Sequence, residues 1–187
     1  METLIKIANH YHDIKSEHFS LRYGESISDI NELSNLRKLS NLKSASFPDS
    51  DLNDEGLAFL STLIQIENLN LQDTQITNDG TKYLKKLENL KYLRLKDNSQ
   101  LTNDCVSNLI AIENLQELQI HETSINQEGL KKIIEMKNIK SIVIDVWNNN
   151  FTHEGLLELF VNNPNCSILA KGDGEFYNGK FEGKWKD

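Results

Sequence analysis

The chain has 187 residues, of which 26% are charged and 38% hydrophobic, and these fractions exclude global disorder and fit an ordinary soluble folded domain. Its formal net charge of −8 excludes a nucleic-acid binder, which needs a basic footprint to neutralise phosphates, and favours basic partners. No run approaches the roughly 20 apolar residues of a membrane span, and the opening METLIKIANHYHDIKSEH holds no apolar core suited to a signal peptide, so no membrane partner and a cytoplasmic location are expected.

From the N-terminus, Leu4, Ile7, Ala8, Tyr11 and Ile14 recur at helical spacing, which predicts an N-terminal capping helix within residues 1–17. A faint apolar motif follows at His18, Leu21 and Tyr23. The stretch Ile27 to Leu39, with Ile30, Leu33, Leu36 and Leu39, reads as the helix of a first, irregular repeat.

A regular period then takes over. The motif apolar-x-x-apolar-x-apolar occurs as Leu42-Ala45-Phe47, Ile66-Leu69-Leu71, Leu90-Leu93-Leu95, Leu115-Leu118-Ile120 and Ile139-Ile142-Ile144, with a degenerate copy at Cys166 and Leu169. Successive first positions lie 24, 24, 25, 24 and 27 residues apart. Inside each period a second signature recurs, as in Leu52-Asn53-Asp54-Glu55-Gly56 and Ile76-Thr77-Asn78-Asp79-Gly80. Thr or Asn is a preferred helix N-cap, the acid two places on suits the positive end of the helix dipole, and Gly or Cys next is small enough for a close approach to backbone. Each unit therefore reads as strand, turn and capped helix. One unit cannot bury its apolar side alone, so stacked Leu/Ile ladders between a strand layer and a helix layer are expected. Ser50, Thr74 and Thr123 stand where a small hydroxyl can bond turn backbone that would otherwise be buried and unpaired.

The last segment differs in kind. Asn178-Gly179 between aromatic-rich runs is a strong hairpin signal, and the run also resembles a MORN-type hairpin repeat. It is read as a hairpin closing the last open edge of the sheet, within a C-terminal cap over 167–187.

These motifs resemble the leucine-rich-repeat family over about residues 18–171. The closest likeness is to the roughly 24-residue subtype of ribonuclease-inhibitor-like, GALA-type and F-box-associated repeats, although Ser or Thr replaces the usual turn Asn or Cys in several units. The resemblance implies an α/β fold: a right-handed leucine-rich-repeat solenoid, horseshoe-shaped, with a parallel concave sheet, outer helices and five to six repeats within 18–166.

Chemistry-bearing clusters are sparse. The sequence carries no phosphate-cradling glycine loop and no nucleophile elbow, so no catalytic residue, enzyme activity or cofactor is expected. His10 and His12 would lie about 200° apart on a helix and could not share a metal there, so no metal is expected. Cys105 and Cys166 are too few for a disulfide framework and fall at packing positions.

Binding is the remaining reading. Residues between ladder positions face out of the sheet, starting small and polar (Ser44, Ser46, Asn68, Asn70) and becoming larger and charged. Tyr92, Arg94, Lys96, Glu117, His121, Val143 and Asp145, with Trp147 on an extended rim loop, are the candidate partner-binding residues, since Trp, Tyr and Arg dominate hot spots. Five or six strands at about 4.8 Å spacing give a face roughly 25 Å long. The expected function is a non-catalytic protein–protein interaction scaffold, monomeric and bacterial, the latter from its two prolines and plentiful Asn, Lys and Ile. An immunity or inhibitor protein against a basic toxin is the first version. An adaptor or effector recruiting a target through its repeats is the alternative.

Overall fold

Every 24 or so residues the chain makes one short strand and one helical segment, and the strands line up in parallel. The computed structural model describes residues 3–27, 29–146, 150–177 and 180–185. The strands are β1 (Leu4–Ile7), β2 (His10–Asp13), β3 (His18–Ser20), β4 (Ser44–Ser46), β5 (Asn68–Asn70), β6 (Tyr92–Arg94), β7 (Glu117–Gln119), β8 (Ser141–Ile144), β9 (Ser167–Ala170), β10 (Gly174–Tyr177) and β11 (Lys180–Gly183). Strands β3 to β9 form the parallel part of one sheet, and β10 and β11 continue it antiparallel from β9. The architecture is an α/β repeat fold.

Its core is the ladder the sequence spacing demands. Phe19, Ala45, Leu69, Leu93, Leu118, Ile142 and Ile168 stand in register across seven strands, none more than 2% exposed. The helical layer opposite is mixed. Helices α1 (Asp54–Leu60), α2 (Val106–Leu109), α3 (Gln127–Ile133) and α4 (His153–Asn162) are α-helical, whereas Ile30–Lys38, Gly80–Lys86 and Asn103–Cys105 are 3-10. A 3-10 turn rises about 2.0 Å per residue against about 1.5 Å, so it crosses the same span with fewer residues.

Neighbouring units are tied by repeated side-chain bonds. The caps Asn53, Thr102, Asn126 and Thr152 each accept from a backbone N–H of their own first turn. After the first three of these caps the next residue also reaches the following unit: Asp54 accepts from the Thr77 N–H at 2.8 Å and from the Thr77 hydroxyl at 2.6 Å, Asn103 accepts from the Asn126 N–H and Gln127 from the Thr152 N–H. Gly80 is small for that reason, because a Cβ there would lie 1.9 Å from the Asp54 carboxylate. The close neighbour of this helix start is thus a polar side chain of the preceding unit, not backbone. Asn89, Asn114 and Asn138 donate to the carbonyls of Ile64, Glu88 and Glu113 one unit back, at 2.8–2.9 Å.

The turns after the strands place acids in left-handed backbone, with φ of 49° at Asp49, 51° at Asp73, 61° at Asp97 and 60° at Glu122, a region Asp tolerates better than most residues. The next residue closes each turn: the hydroxyls of Ser50, Thr74 and Thr123 donate to the carbonyl three residues back, at 2.9, 3.1 and 2.6 Å. Asn98, fully buried, donates to both Leu95 and Leu71 in the equivalent place.

Two expectations need correction. Residues 1–17 hold no capping helix among the described positions. Strands β1 and β2 pair as an antiparallel hairpin separate from the main sheet. A lone 12-residue helix is marginal in water, whereas the hairpin buries Ile7 and Ala8 and ties to the helix Ile30–Lys38 through the Asn35 amide, which donates to the Lys6 carbonyl at 3.2 Å. The last repeat is also shifted by one residue from the Cys166–Leu169 alignment: Ile168 pairs with Ile142 and is buried, while Leu169 is 39% exposed. A one-residue slip exchanges the two faces of a strand. Asn178 and Gly179 lie outside the described residues, but β10 and β11 on either side pair as a hairpin.

Candidate binding face

Strand alternation sends one set of side chains into the core and the other onto the open face of the sheet. In register along that face run Ser20, Ser46, Asn70, Arg94, Gln119, Val143 and Leu169, followed across the antiparallel pairs by Glu175 and Glu182. A parallel row holds His18, Ser44, Asn68, Tyr92, Glu117, Ser141 and Ser167.

The middle of the face is wired together. Arg94 donates from Nε to Gln72 at 3.1 Å and from Nη1 to Gln119 at 2.7 Å, tying three successive units together. Gln72 donates in turn to Asp97 at 2.8 Å. The Lys96 ammonium lies 2.7 Å from Asp97 and 3.0 Å from Glu122. Its hydrogen bond to Asp97 holds the Lys96 amine above its usual value. Burial works upward on the Asp97 carboxyl, but its contacts with Glu122, Lys96 and Gln72 outweigh that and leave it below the ordinary range. Along the adjoining turns, burial and then repulsion from Asp49 and Asp97 raise Asp73.

The candidate residues fall into three groups. Tyr92, Arg94, Lys96 and Val143 are half-buried on the face and Glu117 is exposed there. His121 and Asp145 are 3% and 6% exposed and lie beneath the surface, so they shape the face without offering contact area. Asp145 accepts from the Glu122 N–H, which turns it inward. Burial pushes the His121 imidazole down to about 4, helped by Lys171, Arg94 and Lys96, so it is neutral at physiological pH. Trp147 lies outside the described residues.

Sequence reasoning missed the far end of the face. Leu169 is 39% and Tyr177 58% exposed, and Leu169 stands beside Val143 on one side and Glu175 on the other. The signal was available, since aligning the last repeat on Ile168 and Ala170 turns Leu169 outward.

Other chemistry-bearing groups have structural explanations. Strand geometry places His10 and His12 on one face after all, but His10 pairs with Glu25 at 2.9 Å and the His12 ring packs 5.0 Å from Phe19. Among the described residues, no group of three or more His, Cys, Asp or Glu side chains could hold a metal ion, and no helix is long and apolar enough to cross a membrane. Cys105 and Cys166 are free and buried, and burial pushes both thiols up to about 12, far from the reactive thiolate. Where the helical segments end and the chain turns toward the next strand, a groove of about 740 Å³ is lined by Ile64, Lys85, Glu88 and Glu113 among others.

No family model matches the sequence, and no curated protein does. Among solved structures, the chain is similar to an internalin of Listeria monocytogenes at 18% identity and a TM-score of 0.47, over 68% of this chain and 41% of that one. It is similar also to a leucine-rich-repeat protein of Leptospira interrogans at 18% identity and a TM-score of 0.48, over 71% of this chain and 38% of that one. The chain thus spans about two fifths of either neighbour's length.

Proposed function

We propose that this protein is a non-catalytic scaffold that holds another protein against the open face of its sheet. The observation that carries the reading is the division of that face: a cross-strand hydrogen-bonded platform around Arg94, flanked by Tyr92 and by the exposed apolar Leu169 and Tyr177. Held rigidly by the ladder beneath, such side chains meet a partner at little further cost in conformational entropy. The repeat array is read as a horseshoe whose concave side is this face, and the chain as a monomer.

The finer reading is a cytoplasmic bacterial immunity or inhibitor protein with a basic toxin as partner. The formal net charge of −8 supports it, as do the turn acids Asp49, Asp73, Asp97 and Glu122 beside the face, since complementary charge speeds encounter. The test is binding of basic proteins encoded beside this gene, measured at low and high salt. A tight complex that weakens with salt and is lost in a Tyr92→Ala/Glu117→Lys variant supports the reading. Binding by none of them refutes the immunity role, and a complex unaffected by the folded variant refutes the open face.

A further inference from the structure

We infer that the outer edge of β11 is a self-association surface, on which a second copy of this chain pairs antiparallel about a two-fold axis through Phe181. This goes beyond the scaffold reading, whose single chain is then the dilute form of the pair.

Strand β11 is the last of the sheet, and among the described residues no strand pairs with its outer side. In an antiparallel pair each residue turns its N–H and C=O to one side, and successive residues alternate. The Lys184 N–H donates to the Asp173 carbonyl at 2.7 Å. By alternation along the register, Glu182 and Lys180 also turn their backbone groups inward, to Glu175 and Tyr177. Phe181 and Gly183 therefore turn theirs outward. Gly183 is exposed and Phe181 half-buried. The opposite edge of the sheet is treated differently. Bonds from Ser44 to Glu17 and from Leu21 to Ser46 turn His18 away from β4. There the Ser16 hydroxyl donates to the His18 carbonyl at 2.6 Å and accepts from the His18 N–H at 3.2 Å, so both groups are filled locally.

Charge selects the occupant. A lysine on an edge strand ordinarily discourages pairing, but β11 carries Lys180 and Glu182 on one side with Phe181 between them on the other. Among the described residues neither charge has an ion-pair partner within 4.0 Å. Two copies related through Phe181 set Lys180 against Glu182 twice, exchange the Phe181 N–H and C=O groups and bring the two rings side by side. An axis through Glu182 would instead set Glu182 against itself and Lys180 against Lys184, which like-charge repulsion disfavours. The pair through Phe181 joins two sheets into one and leaves both open faces on the same side. A contact of one short strand lies at the small end of interface sizes, so the pair is weak.

The test is sedimentation equilibrium of the full chain in physiological salt, from about 10 µM to about 1 mM, with the fold of each variant checked by circular dichroism. The parent should move from one chain mass toward two, and amide exchange at Phe181 should slow as it does. Lys180→Glu and Glu182→Lys should each associate roughly tenfold more weakly. An equimolar mixture of the two should recover the parent's association, because their edges complement each other. Lys184→Glu should change it by less than about twofold. A parent that stays monomeric, single variants that associate like the parent, or a mixture that fails to recover overturns the inference. So does weakening by Lys184→Glu without weakening by Lys180→Glu, which moves the axis off Phe181. A monomeric parent leaves the scaffold reading standing, since that reading is measured with another protein.

Discussion

Both ends of the repeat array finish in a β-hairpin, and the two hairpins solve different problems. The N-terminal pair β1–β2 forms its own two-stranded sheet, is tied to the helix Ile30–Lys38, and mixes polar and titratable groups into its contacts: His10 with Glu25 at 2.9 Å and His12 against Phe19. The C-terminal pair β10–β11 extends the main sheet and closes the core with rings, Phe176 lying 4.7 Å from Phe181 and 6.2 Å from Phe160. His153 packs among the same rings, 5.0 Å from Phe181 and 5.1 Å from Trp185. A cap on the helix side protects the core and adds nothing to the open face. A cap that continues the sheet also lengthens the face, and here it contributes Glu175, Tyr177 and Glu182 to it.

The sharpest way to break this contrast is to remove one buried side chain from each hairpin. Phe176→Ala should cost about 3–5 kcal/mol and Ile7→Ala about 2–4 kcal/mol in urea unfolding, and equal losses would make the two caps energetically alike. Acid gives the next largest effect. His121 is neutral in the folded protein down to about 4, whereas an unfolded histidine takes up its proton near 6.5. Stability should therefore fall as pH drops from about 6.5 to about 4, by on the order of 2–3 kcal/mol, and His121→Gln should flatten that part of the curve. His12 is depressed by burial and by His10, with Glu25 opposing. Acidification below about 6.5 should thus also loosen the N-terminal hairpin, read as faster amide exchange in β1–β2 than in β10–β11.

Smaller effects test the body between the caps. Gly80→Ala must displace the Asp54 carboxylate from Thr77, with an expected loss of about 1–2 kcal/mol. Removing the partly exposed His10–Glu25 pair through Glu25→Gln should cost about 1 kcal/mol or less.

The parallel ladder was legible in the sequence because each unit repeats its apolar positions, caps and turn hydroxyls at a nearly fixed distance. Legibility failed at the two ends, where the period stops constraining the chain. Leu4, Ile7, Ala8, Tyr11 and Ile14 suit helical spacing, and nothing local to them announces that residues 30–38 will accept a hairpin. Leu169 was assigned to the wrong face because the final strand follows Cys166 one residue early, a register that only the neighbouring strand fixes. On the candidate face, the outward direction of Tyr92, Arg94 and Glu117 followed from alternation. The burial of His121 and Asp145 did not, since both lie past the end of their strands, where alternation no longer sets direction and the Asp145 carboxylate turns to the Glu122 N–H.

A partner seated on the open face and one seated at the helix ends respond to different substitutions. A partner's affinity is measured for two folded variants, Tyr92→Ala/Glu117→Lys on that face and Lys85→Glu/Ile64→Ser in the groove at the helix ends. Binding on the open face should lose at least tenfold in affinity, about 1.4 kcal/mol, in the first variant and nothing in the second. The reverse pattern would move the binding surface to the groove at the helix ends.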